Sequence, residues 1–203
     1  MKTKFILTFF LTILFFGFMK KDIIIDSELS FAEAIKGTKA PDSLLNQMIL
    51  LDLDYYSFDK KLHRGQLVVN KEIENEVKEI FEIIKKTKYP INKMIPIVHY
   101  NWNDDKSMAD NNTSAFNYRF IAGTKRLSNH SFGKAIDINP FFNPVIYNDG
   151  KVSPKGAKYI PGTQEVFTKN HPVVKAFKKR GFRWGGDWTS LKDYHHFDKP
   201  SKD

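Results

Sequence analysis

Apolar residues recur at helical spacing in the region that follows residue 70. Their side chains fall on one face of a helix, at Ile73, Val77, Ile80, Phe81 and Ile84. Asn70 stands where a helix N-cap is expected, and Pro90 stands where a helix must stop. The pattern therefore predicts a helix between these two residues, with its apolar face in the core.

Short β-prone runs indicate strands elsewhere in the chain. They cover residues 67–69 (LVV), 94–102 (MIPIVHYNW), 115–121 (AFNYRFI), 135–139 (AIDIN) and 194–197 (YHHF). The polar segment 104–114 predicts a loop. The stretch 139–162 is rich in Asn, Pro and Gly, and it predicts an irregular excursion.

A second helix is predicted near the carboxyl terminus. Asn170 would cap it, Pro172 would lie in its first turn, and Gly181 would end it. Near the other end of the chain, Pro41 and Asp42 mark the start of a short helix.

These separate helices and short strands, without internal repeats, predict an α+β fold. We expect a single domain over residues 46–203, built as a small antiparallel sheet flanked by helices and preceded by a linker at 22–45. The length of 203 residues and the hydrophobic content of 41% are sufficient for one folded core.

Residues 1–21 have the pattern of a targeting segment. Two lysines precede an uncharged apolar run at 5–18, and two more follow it. The run is shorter than the ~20 residues that comfortably span a bilayer. Because no small-x-small cleavage motif follows, a cleaved secretory signal and a retained amino-terminal membrane anchor both stay open, and a buried core helix is the third alternative. The first two alternatives predict an exported, extracytoplasmic protein.

The formal charge of +9 decreases to +5 without residues 1–21, because that segment holds four lysines and no acid. Much of the basic excess therefore belongs to targeting, and we predict no nucleic-acid partner. The remaining lysines either solubilise the surface or favour attraction to an anionic wall or membrane.

The chain contains no cysteine. This excludes a disulfide scaffold, a cysteine zinc site, an iron–sulfur cluster and a cysteine nucleophile. Any bound metal must be held by His, Asp or Glu. Of the six histidines, His99 lies in an apolar run and is expected in the core, His63 in a polar turn, and His171 at the first position of a helix.

Two segments combine residues suited to metal chemistry: 128–139 (SNHSFGKAIDIN) and 193–197 (DYHHF). A catalytic zinc takes three protein ligands from His and carboxylate, and it keeps one position open for water. His130 and Asp137 supply two of them. The third must be His195 or His196, whose side chains would point to opposite faces of a strand.

The same segments resemble the zinc D-alanyl-D-alanine carboxypeptidase family, which includes VanY-like enzymes, D-Ala-D-Ala dipeptidases and L-alanyl-D-glutamate endopeptidases. The family pattern is Ser-x-His, six residues, Asp, and later an acid-x-x-His, as in Ser128-Asn-His130, Asp137 and Asp193-Tyr-His-His196. Similar stretches at 107–119 (SMADNNTSAFNYR) and 182–188 (FRWGGDW) extend the resemblance over about residues 50–198.

This resemblance implies a Hedgehog- or DD-peptidase-like fold and one zinc ion per chain, held by His130, Asp137 and His196. It also implies Asp193 as the catalytic carboxylate and Arg119 as the cation that reaches a substrate carboxylate or a developing oxyanion. Asp198 stands where relatives often carry Glu or Gln, and we expect it to have little effect. The expected substrate-binding residues are Ser128, Asn139, Tyr118 and Trp184.

The expected function is hydrolysis of peptide bonds in peptidoglycan stem peptides. The cut is either of the D-Ala-D-Ala carboxypeptidase type or of the L-Ala-D-Glu endopeptidase type. The alternative is a catalytically silent cell-wall-binding module with a structural zinc. The presence of three ligands together with the acid favours the enzyme.

Overall fold

The computed structural model describes residues 22–200. The targeting segment predicted at 1–21 lies outside the described residues. Helices and several small sheets are mixed along the chain, which confirms the predicted α+β class. Within residues 22–200, no helix combines the length and the apolar character needed to cross a bilayer.

The elements follow one another in short alternating pieces. The helices are α1 (Phe31–Ala34), α2 (Asp42–Leu45), α3 (Glu74–Thr87), α4 (Asp104–Ala109) and α5 (Pro172–Lys179). The strands are β1 (Ile24–Ile25), β2 (Met48–Tyr56), β3 (Leu62–Asn70), β4 (Lys93–Met94), β5 (Asn112–Thr113), β6 (Ala135–Asp137), β7 (Val145–Tyr147), β8 (Val152–Ser153), β9 (Arg183–Trp184), β10 (Leu191–Asp193) and β11 (His196–Asp198).

The longest strands, β2 and β3, form an antiparallel hairpin that runs from the pair Met48↔Asn70 to the pair Tyr56↔Leu62. Helix α3 packs on β2 through the predicted apolar face, of which all five members are buried. The side chain of Asn70 accepts from the backbone N–H of Glu72, and the helix ends at Lys88 in the left-handed conformation, just before Pro90. The prediction of this helix is confirmed.

A second sheet, in the order β6-β11-β9, lies in the interior of the domain. Its antiparallel register places His196 opposite Asp137 and Phe197 opposite Ile136. Helix α5 covers this sheet, because the ring of Phe177 stacks on Phe197 with 4.0 Å between their centroids. The strand predicted at 135–139 is thus confirmed as β6, and it carries one candidate ligand beside another.

The remaining sheets are small. Strands β10, β7 and β8 form an antiparallel sheet in which Asp193 is opposite Val145, and β4 pairs in parallel with β5. The stretch 139–162, predicted as irregular, contains only the short strands β7 and β8.

Three expectations for residues 94–121 are wrong. The strand predicted at 94–102 stops at Met94, because Pro96 leads into a 3-10 turn at Ile97–Tyr100 that exposes His99 to solvent. The segment 104–114, predicted as a loop, contains α4 and β5, and the side chain of Asn103 caps α4. Residues 115–121 form no strand, because their backbone hydrogen bonds are made to different parts of the chain and not to one neighbouring strand. One example is the bond from Phe116 N–H to the carbonyl oxygen of Val68.

Residues 22–45, treated as a linker in the sequence analysis, pack against the hairpin. Strand β1 pairs in parallel with β3, and Ala34 of α1 contacts Met48, Val68 and Phe116. Pro41 immediately precedes α2, as predicted. His63 lies within β3 rather than in a turn, where its ring contacts the carboxylates of Asp26 and Asp59.

Near the carboxyl terminus, the predicted boundaries move by one or two residues. His171 caps α5 in place of Asn170, and Gly181 follows the helix with a φ of +81°, as a helix stop requires. The last strand begins at His196, so Tyr194 and His195 lie in the turn between β10 and β11.

Candidate metal centre

Three side chains from separate elements converge at one end of the sheet β6-β11-β9. His130 comes from the 3-10 turn Asn129–Phe132, Asp137 ends β6, and His196 begins β11. His130 Nε2 lies 3.1 Å from Asp137 Oδ2 and 3.2 Å from His196 Nδ1. His196 Nδ1 lies 2.9 Å from Asp137 Oδ1, and all three residues are buried.

This spacing fits a tetrahedral metal ion. Zinc bonds of ~2.0–2.2 Å to nitrogen and oxygen place neighbouring ligand atoms about 3.3 Å apart. One ligand atom from each residue can be chosen so that all three lie within 4.8 Å of one another. No second group of His, Cys, Asp or Glu within residues 22–200 meets this criterion. Two imidazoles and one carboxylate form a donor set that suits zinc, so the residues fit the metal that the resemblance implies.

Both imidazoles have defined orientations. His130 Nδ1 lies 2.6 Å from the carbonyl oxygen of Ala115, which can only accept, so Nδ1 carries the proton and Nε2 presents its lone pair to the centre. The Nδ1 atom of His196 faces Asp137, while its Nε2 is 4.0 Å from Asp198 Oδ2.

The turn that carries His130 follows from local sequence. The side-chain oxygen of Ser128 accepts a hydrogen bond from His130 N–H. Gly133 then adopts a φ of +62°, and a Cβ there would lie only 2.5 Å from the sulfur of Met48 and 2.7 Å from the backbone nitrogen of Asn70. Only glycine lets the chain approach β3 this closely before it turns into β6.

The pKa values of two candidate ligands, Asp137 and His196, are shifted by the groups around them. Burial disfavours the Asp137 carboxylate, but the imidazoles of His130 and His195 outweigh burial and hold the pKa of Asp137 well below its usual range. Burial also lowers the pKa of His196, but its hydrogen bond to Asp137 outweighs this and raises the pKa to about 9. A proton bound to His196 would therefore compete with a metal ion for this site.

Asp193 lies beside this group at the end of β10. Its side chain is only 16% exposed, and its Oδ1 is 3.1 Å from His195 Nε2. That approach is not aligned as a hydrogen bond, and Oδ1 has no other partner among the described residues. Burial raises the pKa of Asp193 more than the nearby imidazoles lower it. A carboxylate with a raised pKa accepts a proton more readily than an ordinary aspartate does, as a general base must.

Of the two neighbouring histidines, only His196 belongs to the group of three candidate ligands, but the side chain of His195 also lies beside this group. His195 precedes β11 in a turn, so the alternation of a strand does not apply to it. Its Nδ1 contacts the carbonyl oxygen of Asn143 at 2.7 Å, and its Nε2 reaches Asp193 and lies 3.9 Å from Asp137 Oδ2. His195 is thus outside the group of three ligands but next to it.

A cleft of about 730 Å³ opens over the centre. Besides the three candidate ligands, Asp193, Arg119 and Ser128 lie in its wall. The guanidinium of Arg119 is anchored by Asp104, with 2.9 Å between Nη2 and Oδ2, and its side chain remains 31% exposed. The cleft therefore contains the predicted ligands, the predicted carboxylate and the predicted arginine.

Asn139 does not reach the cleft, which corrects its prediction as a substrate-binding residue. It is fully buried, and its φ of +47° turns its side chain into the core. Its amide nitrogen donates to Tyr89 Oη and to Pro90 O, and its amide oxygen accepts from Asn92 N–H. The side chain therefore forms hydrogen bonds inside the core and does not reach the cleft.

Trp184 and Tyr118 also lie outside the cleft wall. Trp184 is 3% exposed, and its indole N–H donates to the carbonyl oxygen of Tyr194 at 2.9 Å. Tyr118 packs against the small apolar cluster around Phe116. The tryptophan that lines the cleft is Trp188, whose ring centroid is 5.3 Å from that of His196.

Asp198 and Arg183 are two further residues of the cleft, and nothing in the sequence indicated that they pair. Asp198 is buried, and it binds both Arg183 and the amide of Asn129, next to the ligand His130. The expectation that Asp198 has little effect does not fit these contacts. Only the strand pairing of β9 with β11 brings Asp198 opposite Arg183, and spacing along the chain does not reveal it.

Comparison with known families supports the resemblance. A family model described as D-alanyl-D-alanine carboxypeptidase matches residues 122–199. The match includes the three candidate ligands and Asp193, whereas the similar stretches before residue 122 lie outside it. No solved structure is significantly similar to this chain. Residues 122–199, which include the candidate centre, are therefore similar to the D-alanyl-D-alanine carboxypeptidase family.

Proposed function

We propose that the protein is a zinc-dependent peptidase that hydrolyses peptide bonds in peptidoglycan stem peptides. The observation that carries this proposal is the buried group of His130, Asp137 and His196, with the free carboxylate of Asp193 beside it in an open cleft. A site that only stabilised the fold would not need an adjacent buried acid or access to solvent.

His130, Asp137 and His196 are the residues that would hold zinc. A bound zinc supplies a Lewis acid that polarises the scissile carbonyl and lowers the pKa of water. The hydrogen bond from His130 to Ala115 keeps one ligand in its binding tautomer before the metal arrives.

Asp193 would act as the proton carrier. A carboxylate with a raised pKa would take the proton of the attacking water and return it to the leaving amine. His195 Nε2 lies 3.1 Å from Oδ1 of this carboxylate, close enough for a charge interaction if the imidazole is protonated.

Arg119 would bind negative charge on the substrate or on the developing oxyanion. Its pairing with Asp104 uses Nη2 and fixes the direction of the side chain. The Nε of Arg119 is buried and has no hydrogen-bond partner among residues 22–200. A preorganised guanidinium of this kind stabilises charge without reorganisation.

The proposed substrates are stem peptides of the cell wall, which contain D-residues and free carboxylates. The family description supports a peptide substrate, and the cleft arginine suits a carboxylate. We further propose that residues 1–21 export the protein to the envelope or anchor it there, on the basis of their basic start and apolar run. The bond cut is a D-Ala-D-Ala bond or an L-Ala-D-Glu bond.

The test combines metal analysis with product analysis. We expect about one zinc per chain, and mass spectrometry should show defined fragments from synthetic stem peptides. Asp193→Ala should retain zinc and lose hydrolysis. Wall binding without hydrolysis by either form would instead identify a silent wall-binding module, and a well-folded protein without zinc or hydrolysis would refute the proposal.

A further inference from the structure

Arg183 is a second arginine in the cleft wall, and its guanidinium is fixed by a buried carboxylate. Its Nε donates to Asp198 Oδ1 at 3.0 Å, and its Nη2 donates to Asp198 Oδ2. The Asp198 side chain is only 3% exposed, whereas that of Arg183 is 55% exposed. One edge of the guanidinium is therefore buried against Asp198, and the rest faces the cleft.

The exposed part of Arg183 has unused donors. A guanidinium carries five N–H groups, and the fork to Asp198 uses two of them. Within the part of the chain that the structure describes, no other acceptor binds Arg183. Three N–H groups in a fixed plane therefore remain, and a planar carboxylate can accept from such a plane with two parallel hydrogen bonds.

The position of Arg183 links it to the metal centre. Asp198 also accepts a hydrogen bond from Asn129, and its Oδ2 lies 4.0 Å from Nε2 of the ligand His196. The same carboxylate thus holds Arg183 at a fixed place beside one ligand and next to the turn that carries another. A ligand on Arg183 would lie close to the reacting bond.

Five aspartates and three arginines line the cleft, so the positive charge available to an anionic ligand is local to the arginines. Arg126 lines the same cleft, is exposed, and has no ion-pair partner among residues 22–200. Asp198 is already occupied by three donor atoms, so its charge is screened from a ligand on the far edge of the guanidinium. Asp104 is likewise engaged with Arg119.

We propose that Arg183 forms a carboxylate-binding subsite, distinct from Arg119, which selects peptides with a free carboxylate close to the scissile bond. This inference rests on the proposed peptidase function and specifies its substrate class. The carboxylate is either that of the peptide's terminal residue or that of an acidic side chain. Asp198 is the positioning residue that keeps the guanidinium fixed.

The experiment uses four matched peptides, in which the terminal carboxylate and the side-chain carboxylate are each present either as the acid or as the amide. Zinc-loaded wild type should show a lower KM for one acid than for its amide. Arg183→Met should raise the KM for that acid about tenfold or more and leave the KM for the amide nearly unchanged, because a charge-assisted hydrogen bond is lost only with the acid. The acid that shows the preference identifies the source of the carboxylate.

Arg64→Met is the matched control. Arg64 forms the same kind of fork with Asp54, with 2.7 Å between Nε and Oδ1, but it lies on β3 outside the cleft. Its substitution should leave the KM for every peptide unchanged. If Arg183→Met fails to fold because Asp198 loses its partner, the double variant Arg183→Met/Asp198→Asn removes the buried charge and serves in its place.

A binding measurement separates the subsite from the reaction. Calorimetry with Asp193→Ala should show tighter binding of the acidic peptide than of its amide, and this difference should vanish when Arg183→Met is added. An equal loss for acid and amide would overturn the subsite. If wild type cleaves none of the peptides, the proposed function fails, and this binding arm still decides whether Arg183 selects carboxylates.

Discussion

The backbone of Asp193 lies directly against Gly185. A Cβ on Gly185 would stand 2.4 Å from the carbonyl oxygen of Asp193 and 2.8 Å from its Cβ. The φ of Gly185 is not in the left-handed region, so close contact is the reason for glycine at this position. The turn at Gly185–Asp187 therefore controls where the candidate proton carrier sits.

Gly185→Ala should displace Asp193 and reduce kcat by about 10–100-fold, because small displacements of a catalytic group cost rate steeply. Zinc content should remain near that of wild type, since the three atoms nearest to the new Cβ all belong to Asp193 and none to a candidate ligand. Steady-state kinetics and metal analysis on the same preparation check both expectations.

Gly150→Ala is the control for this variant. The φ of +82° at Gly150 brings backbone strain, but nothing lies within 4 Å of the new Cβ. It should lower stability and leave kcat unchanged.

The two adjacent histidines should differ in metal binding. His196→Ala removes the Nδ1 atom from the group of ligand atoms, so the variant should lose zinc during dialysis. His195→Ala removes only a neighbour of Asp193 and should weaken zinc binding by about 10–100-fold at most, because residues around a metal site tune the ligands without binding the ion. Zinc per chain by atomic spectroscopy measures both effects. Retention of zinc by His196→Ala and its loss from His195→Ala would reverse the ligand assignment.

The metal-free protein should lose stability as the pH rises. Asp137 raises the pKa of His196 to about 9 in the folded chain, above the ordinary value of about 6.5 in the unfolded chain. A group with a raised folded pKa stabilises the protein fully below the unfolded pKa, and this contribution disappears as the pH passes through the folded pKa. The free energy of unfolding should therefore fall between about pH 6.5 and pH 9. Urea titrations of chelator-treated protein across this range provide the measurement.

His196→Ala is the comparison for that pH series, because it lacks the titrating imidazole. Its unfolding free energy should vary less over the same interval than that of the metal-free wild type. An equal slope in both proteins would show that other groups cause the pH dependence.

The candidate ligands His130 and Asp137 could be predicted from local signal, whereas the choice of His196 over His195 came from the family resemblance. Ser128, His130 and Asp137 lie in one segment whose spacing matches a turn followed by a strand, and the structure forms both. Trp184 and Trp188 show what could not be predicted from the local sequence, namely which of the two tryptophans lines the cleft. Both have the same side chain and flank the same glycine turn, but β9 pairing buries Trp184, and only Trp188 remains at the cleft.

The fold was less predictable where polar residues form regular structure. Strand β2 alternates buried and exposed positions from Leu51 to Tyr55, and its two aspartates occupy the outward positions of this period-two pattern. A strand at 48–56 is absent from the predictions, although the alternation is visible in the sequence. Helix α4 has only six residues and begins with two acids, so its polar composition predicted a loop. Contacts with distant parts of the chain stabilise such a helix, whose own sequence is ambiguous.

Asn139→Ala should destabilise the protein without changing its selectivity. The variant removes the hydrogen bonds to the carbonyl oxygen of Pro90 and the backbone N–H of Asn92, and each unpaired buried group costs about 1–3 kcal/mol. The hydroxyl of Tyr89 keeps its bond to the carbonyl oxygen of Glu165. A further cost of about 1 kcal/mol arises because alanine tolerates the positive φ poorly. The free energy of unfolding should therefore fall by about 3 kcal/mol or more in denaturant titrations. The KM of the folded fraction should stay at the wild-type value, because the side chain does not line the cleft. A raised KM at unchanged stability would restore Asn139 as a substrate-binding residue.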